Sequence, residues 1–336
     1  MAAGRLLRGR RPRVSVLTMS SRLLTVEPAH ASPRLDRFVA DHTGFSRSTV
    51  LRLIASGQVR IDGRLGKKGT TLATGQTVAV PQDAQDDLGT PPAPDPSLPL
   101  EVLYEDDDVV VVSKAPGQAC HPLRADERGT CAHAVAARYP TCATASTPLR
   151  EGGVCHRLDK ETSGALLFAK TNEAFLALRA DFSNGLVKKE YLALCVGAPA
   201  SDTFDVRLPL LPGKHGSPKV RVAVTPEEMY DKEALDAHTH VTVLSRSAKH
   251  TLLRVVPHTG RRHQIRVHLS HLGLPILGDA LYGEVHPLGH FLHALKLTFR
   301  SPSHPQKEIS VTAPLPKERQ ALLSELFGTQ AHAKFT

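Results

Sequence analysis

From residue 33 the apolar positions fall into two successive patterns. Leu35, Phe38 and Val39 recur at i, i+3 and i+4, which predicts a short helix with one buried face. Ser46 is placed to N-cap a second helix carrying Val50, Leu51 and Ile54, and Gly57 sits where its C-terminus wants a residue tolerant of positive φ. The stretch "QVRIDGR" then alternates Val59 and Ile61 with polar neighbours and turns at Asp62-Gly63, a hairpin signal. Pro81 to Pro99, "PQDAQDDLGTPPAPDPSLP", has almost nothing to bury and reads as an extended, disordered linker. From Leu100 the apolar runs resume. "LEVLYEDDDVVVVSK" predicts two strands joined through Asp106 to Asp108, with "VVVV" buried on both faces. Further strands are expected at "GALLFAK", "EYLALCVG", "HTHVTVLSRS", "HTLLRVVP" and "FLHALKLTF", and helices at "CAHAVAARY", "NEAFLALRADFSNG" and "GRRHQIRVHLSHLG". Strands that follow one another without a helix between them favour an α+β fold, with a mixed, largely antiparallel central sheet and flanking helices. The expected division is a basic, disordered extension over 1–32, a small unit over 33–80, the linker over 81–99 and a large domain over 100–330.

Charge narrows the partner. A net charge of +9 over 336 residues suits a polyanion, of which nucleic acid is the commonest, with anionic membrane as the rival. No apolar run approaches the roughly 20 residues of a spanning helix, so no membrane association is expected. The first 26 residues hold six Arg and no acid, compatible with an organelle transit peptide, a basic tail or an RNA-contacting arm. The five Cys are an odd number without a CxxC pair, against a disulfide framework or structural zinc. Together these point to a cytoplasmic protein, with a mitochondrion or other organelle as the alternative.

The candidate chemistry lies in three stretches. "CHRLDKETSG" sets Asp159 between Arg157 and Lys160 at the entry to an apolar strand. Cationic neighbours favour a carboxylate's ionised form and suit it to act as nucleophile or base, although such an acid, taken alone, is more often a salt-bridged structural residue. In "PHTGRRHQIRVHLSHLGLPILGDALYG", Thr259 can N-cap a helix ending near Gly273, whose buried stripe is Ile265, Leu269 and Leu272. Arg266 could then reach inward to an acid while Arg262 faces phosphate, or the segment is an ordinary basic amphipathic helix. In "KKEYLALCVG", Tyr191 begins an apolar strand; a strand Tyr is usually core, but beside a nucleic-acid cleft it could stack on a base and exchange a proton. His263, His268 and His271 lack a metal-ligand spacing and no metal is expected; His263 suits a hydrogen bond to RNA. Neither GxGxxG nor GxxxxGK[ST] occurs, so no nucleotide cofactor is indicated. Arg47, Arg52, Arg60, Arg64, Lys67 and Lys68 cluster on the small unit as phosphate contacts or as a solvated face.

The small unit's "SRSTVLRLIASGQVRIDGR" resembles the S4 RNA-binding module, and the large domain strongly resembles the RluA-type pseudouridine synthases. "HRLDKETSG", "KKEYLALCVG", "TGRRHQIRVH" with "GLPILGDALYG", and "FLHA" follow the family's motifs in order over about two hundred residues. One departure is "SKAPGQACHP", where family members often read "KPAG". The resemblance implies a catalytic sheet cleft by an RNA groove and no cofactor. It implies Asp159 as the essential nucleophile, Tyr191 stacked on the target uracil, Arg266 pairing with Asp159, and Arg157 displacing the target base. Arg262, His263, Arg47, Arg52, Lys67 and Lys68 are the expected RNA contacts. The expected substrate is large-subunit ribosomal RNA, with tRNA, or a non-catalytic ribosome-assembly role, as alternatives; a monomer is expected.

Overall fold

The structure, a computed structural model, describes residues 20–28, 33–82, 84, 89–124, 126–213 and 217–328. The chain forms two units, one reaching residue 88 and the other starting at Gly89.

In the first unit β1 (Ser21–Thr25) precedes α1 (Leu35–Thr43), α2 (Arg47–Ala55), β2 (Arg60–Ile61), β3 (Arg64–Leu65) and β4 (Thr77–Pro81). Leu35, Phe38 and Val39 are buried as their spacing requires. Ser46 Oγ accepts the Thr49 N–H at 3.3 Å and so caps α2, while Asp62 and Gly63, at φ 47° and 78°, make the hairpin turn. On α2 the interior positions are Val50, Leu53 and Ile54; Leu51 is only half-buried.

The sheet order is β1-β4-β2-β3, and here the expected 1–32 extension needs correction. Ser21–Thr25 pairs antiparallel with the whole of β4 and buries Leu24. Without it β4 would expose a row of unpaired backbone groups. Five residues inside an Arg-rich stretch carry too little alternation to announce this; the earlier part of the extension, residues 1–19, and residues 29–32 lie outside the described residues.

The second unit runs β5 (Glu101–Glu105), β6 (Val109–Lys114), α3 (Cys131–Arg138), α4 (Cys142–Ala145), β7 (Ser163–Ala169), α5 (Asn172–Ser183), β8 (Lys188–Val196), β9 (Thr203–Val206), β10 (Leu210–Pro212), β11 (Val220–Val222), α6 (Pro226–Met229), β12 (Thr239–Arg246), β13 (His250–Pro257), α7 (Gln264–His271), β14 (Leu292–Arg300), β15 (Glu308–Thr312) and α8 (Lys317–Phe327). One sheet takes the order β5-β6-β7-β14-β8-β13-β12-β9, with β15 on β14. It is mixed and largely antiparallel: only β7 and β14 run parallel. Its faces bury separate clusters. Val110, Val112, Leu166 and Phe168 enter one, Val109, Val111, Ala165 and Leu167 the other, as strand alternation demands of a doubly covered sheet.

The parallel contact is short, His293 beside Ser163 and Ala294 beside Gly164, and from Lys296 onward β15 occupies the same edge of β14. The two strands therefore part beyond Gly164, while Asp159 stands before the contact, in the chain that enters β7. Of the expected linker, Gly89–Pro99 has no regular element yet packs on the second unit. Pro92 is buried beside Gly152, and the Asp95 N–H donates to the His133 carbonyl at 3.0 Å. Proline loses little entropy on ordering, so a few contacts suffice. Residues 83 and 85–88 of that stretch lie outside the described residues.

Candidate active site

Asp159 stands in the turn before β7, its carbonyl accepting the Thr162 N–H at 3.0 Å. Almost every residue around it is fastened. Cys120 Sγ brackets the Leu158 peptide, taking its N–H at 3.2 Å and contacting its carbonyl at 3.3 Å. The buried Lys114 ammonium donates to the carbonyls of Ala115, Gln118 and Lys160 at 2.9, 2.7 and 2.8 Å, tying the segment "KAPGQ" to the residue that follows Asp159. Burial lowers the Lys114 pKa, and three carbonyls stand in for a carboxylate partner. Thr162 Oγ1 meets His290 Nε2 at 2.8 Å. A turn held this way has little freedom to move the carboxylate it presents.

Arg266, on α7, reaches that carboxylate from the far side. Its Nη1 donates to Asp159 Oδ2 at 2.7 Å, and its Nε and Nη2 grip both oxygens of Asp279 at 2.7 Å each. Asp279 is fully buried and also accepts the Leu281 and Tyr282 N–H groups, so its position is fixed independently. Burial alone would lower the Arg266 pKa; the hydrogen bonds it donates to Asp279 and Asp159 outweigh it and raise the pKa. Burial likewise pushes the Asp279 carboxyl up, and the Arg266 hydrogen bonds pull it below the usual range. The second Asp159 oxygen, Oδ1, lies 3.9 Å from His263 Nε2, beyond hydrogen-bond reach, and the side chain is about a quarter exposed. One oxygen is thus held and the other is presented.

His263 is the N-cap residue of α7, in left-handed backbone at φ 54°. This corrects the expectation of Thr259: its hydroxyl donates to Gln264 Oε1 at 2.7 Å and accepts the His238 N–H at 3.1 Å, folding "TGRR" into a loop before the helix begins. A left-handed non-glycine residue is costly, and its presence beside Asp159 marks a constraint imposed by the site. His263 Nδ1 lies 2.9 Å from the Tyr282 hydroxyl, which accepts the Val220 N–H at 2.7 Å. A phenol hydrogen directed to Nδ1 puts the imidazole proton on Nε2, toward Asp159. Burial lowers the His263 pKa. Ile265 and Leu269 are buried on α7, but Leu272 is exposed because the helix has ended by then.

Tyr191, on β8, is almost wholly buried, between Val255 of β13 and Ala294 of β14. Burial first, and then the Asp159 charge, raises its pKa, so its ring carries a neutral hydroxyl at physiological pH. Arg157 is exposed two residues before Asp159. Arg262 is exposed too, but its Nη2 donates to the Pro218 carbonyl at 2.8 Å, so one of its donors faces protein. His268 is buried with both ring nitrogens engaged, by Thr239 Oγ1 and the Leu208 carbonyl. Among the described residues no group of three His, Cys, Asp or Glu is placed to hold a metal ion. Arg47, Arg52, Lys67 and Lys68 are exposed on the first unit.

Sequence reasoning missed Lys114, Asp279 and Tyr282. The last two stand in "GDALYG", a motif whose residues had no assigned partner until α7 was seen to lie against it. Lys114 follows an apolar strand and reads as its polar end.

The RNA pseudouridylate synthase family matches residues 108–271. A protein of Xanthomonas campestris pv. campestris called ribosomal large subunit pseudouridine synthase D is 36% identical over 94% of this chain and 96% of its own length. A Bacillus subtilis relative, called uncharacterized RNA pseudouridine synthase YlyB, is 32% identical over 90% of this chain and 97% of its own. Among solved structures, human RNA pseudouridylate synthase domain containing 1 aligns over 65% of this chain and 84% of its own, at 26% identity and a TM-score of 0.52.

Proposed function

Since this chain belongs to the RluA-type RNA pseudouridylate synthases, we propose that Asp159 carries its uridine-to-pseudouridine exchange and that its target lies in large-subunit ribosomal RNA. The reaction breaks the bond from C1′ to N1 of a uridine in RNA, turns the detached uracil, joins C1′ to C5, releases the C5 proton and leaves N1 protonated. The observation that supports Asp159 is its held-and-presented geometry: Arg266 fixes Oδ2 at 2.7 Å and leaves Oδ1 toward the open side. Whether attack is at C1′ or at C6, or a proton is removed to form a glycal, the same oxygen has to be poised within reach of a base taken out of its stack. Arg266 positions; it has no proton to exchange at neutral pH, because its two carboxylates hold its pKa up.

Tyr191, kept protonated by burial and by the Asp159 charge, is suited to stacking on the uracil and to exchanging the C5 proton. Arg157, exposed at the loop's start, can fill the space a displaced base leaves, while the exposed Arg262 and half-buried His263 are suited to RNA contact. The exposed bases Arg47, Arg52, Lys67 and Lys68 add affinity through phosphates, as an S4-like unit would.

The ribosomal target rests on the likeness of nearly the whole chain to relatives called ribosomal large subunit pseudouridine synthase D. Carbodiimide mapping of total RNA from cells with and without the gene tests it. A pseudouridine lost from large-subunit RNA alone is expected, and one lost only from tRNA overturns that target. For Asp159, purified Asp159→Asn is expected to release no tritium from C5-labelled RNA; a normal rate removes its assignment.

A further inference from the structure

Among the described residues the largest fully buried side chain is that of Arg319, at 1% exposure, from the first turn of α8, and it makes no hydrogen bond to a carboxylate of these residues. Nη1 donates to Ser163 Oγ at 2.7 Å and to the Leu292 carbonyl at 2.8 Å; Nη2 donates to the carbonyls of Glu161 and His290 at 2.9 and 2.8 Å. The Glu161 carboxylate attracts it only through space. Burying a guanidinium without a hydrogen-bonded counter-ion is expensive, and anchoring a terminal helix to a sheet needs no charge, since an apolar side chain would do it at lower cost.

The positions of the four acceptors explain the expense. Glu161 and Ser163 lie two and four residues after Asp159, and His290 and Leu292 lead into β14. These are the two segments that enter the brief parallel contact of His293 beside Ser163, which follows directly after the Asp159 turn. The planar fork spans both with four bonds at fixed angles, where an ammonium has three donors and no fixed plane, and a methyl group has none. Ser163 is locked in turn. Since its oxygen accepts from Arg319, its hydrogen points to His293 Nδ1 at 2.8 Å, and His293 Nε2 donates to the Ala313 carbonyl at 3.1 Å. Donor directions run one way from α8 to the strand leading out of the site, with no group left to choose.

We infer that Arg319 is a positioning residue for Asp159: the C-terminal helix, through one buried guanidinium, sets the separation of the catalytic turn from β14. The inference rests on Asp159 being the reactive group.

The test uses a full-length RNA transcript that the wild-type enzyme converts. Arg319→Lys and Ser163→Ala are compared with wild type in single-turnover conversion under saturating enzyme, RNA affinity by filter binding, and cooperative thermal unfolding. Arg319→Lys is expected to fold, to bind RNA within twofold of wild type and to convert it 10- to 100-fold more slowly; Ser163→Ala, which removes one acceptor, to lose three- to tenfold in the same rate. A purely structural role would leave the folded fraction converting at the normal rate, and that result overturns the inference. So does a loss confined to RNA affinity. Should Arg319→Lys fail to fold, Ser163→Ala decides by its rate: slow supports the inference, normal refutes it. Asp159→Asn, run in parallel, keeps the outcomes apart, because full activity there removes the underlying site assignment whatever the Arg319 variant does.

Discussion

Arg266 and Asp159 meet at 2.7 Å across 107 residues of chain, and Arg266 arrives already aimed, because Asp279 holds its other edge by two bonds of 2.7 Å. The acid's orientation therefore depends on a second acid that is itself fully buried. Asp279→Asn keeps the shape and removes the charge, leaving the buried guanidinium with one carboxylate partner. The expected cost is about 3 kcal/mol in urea unfolding. Single-turnover conversion should fall at least tenfold with RNA affinity kept. An unchanged rate would show that Arg266 needs no help to find Asp159.

Acid should weaken the fold through its buried histidines. Burial depresses the pKa of His290 and of His293 from 6.5 to about 4, and of His156 to about 3. A group depressed on folding contributes stability that is complete above its unfolded pKa and is lost as pH falls through the folded one, because the unfolded chain binds protons first. The urea midpoint should hold steady above pH 6.5 and drop steadily toward pH 4. For His293 the loss is at most roughly 3 kcal/mol. His293→Gln, whose amide can accept from Ser163 and donate to Ala313, should flatten that slope. A midpoint indifferent to pH across this window would contradict the buried, neutral assignment.

The exposed bases of the first unit should act on affinity and salt dependence rather than on chemistry. Arg52, Lys67 and Lys68 together replaced by Gln should reduce the slope of log affinity against log salt by about 2 to 3, as expected for three lost phosphate contacts. Conversion under saturating enzyme should be unaltered. Equal slopes for variant and wild type would mark these side chains as a solvated face.

Two glycine substitutions separate backbone strain from collision. Gly44, at φ 75° with nothing near its missing Cβ, should cost about 1 kcal/mol as Ala. Gly164, at φ 114°, would drive its Cβ into the Ala294 carbonyl where β7 and β14 pair. Gly164→Ala should lose soluble, cooperatively folding protein altogether, and a variant as stable as Gly44→Ala would mean the strands part without harm.

Much of this was legible along the chain because it is periodic or local. The helix stripe of Leu35, Phe38 and Val39, the Ser46 cap, the Asp62-Gly63 turn and the two-sided burial of Val109 to Val112 each follow from a few neighbouring residues. Where local signals competed, they misled. Thr259 had the chemistry of an N-cap, but its hydroxyl found Gln264, and Leu272 continued a stripe that the helix did not continue. The proline-rich stretch looked unable to bury anything, yet Pro92 and Asp95 found partners more than thirty residues away.

The sequence by itself determined the α+β class, the family motifs in their order, and Asp159, Tyr191 and Arg266 as the residues to examine, since residue type and near spacing are properties of the chain alone. Tertiary structure decided what holds them. That Asp279 grips Arg266, that Lys114 ties the residue after Asp159, and that Arg319 reaches back 156 residues to Ser163 are contacts whose spacing has no period to read. They exist because buried cations must find acceptors wherever the fold brings them, and here it brings them to the turn around one carboxylate.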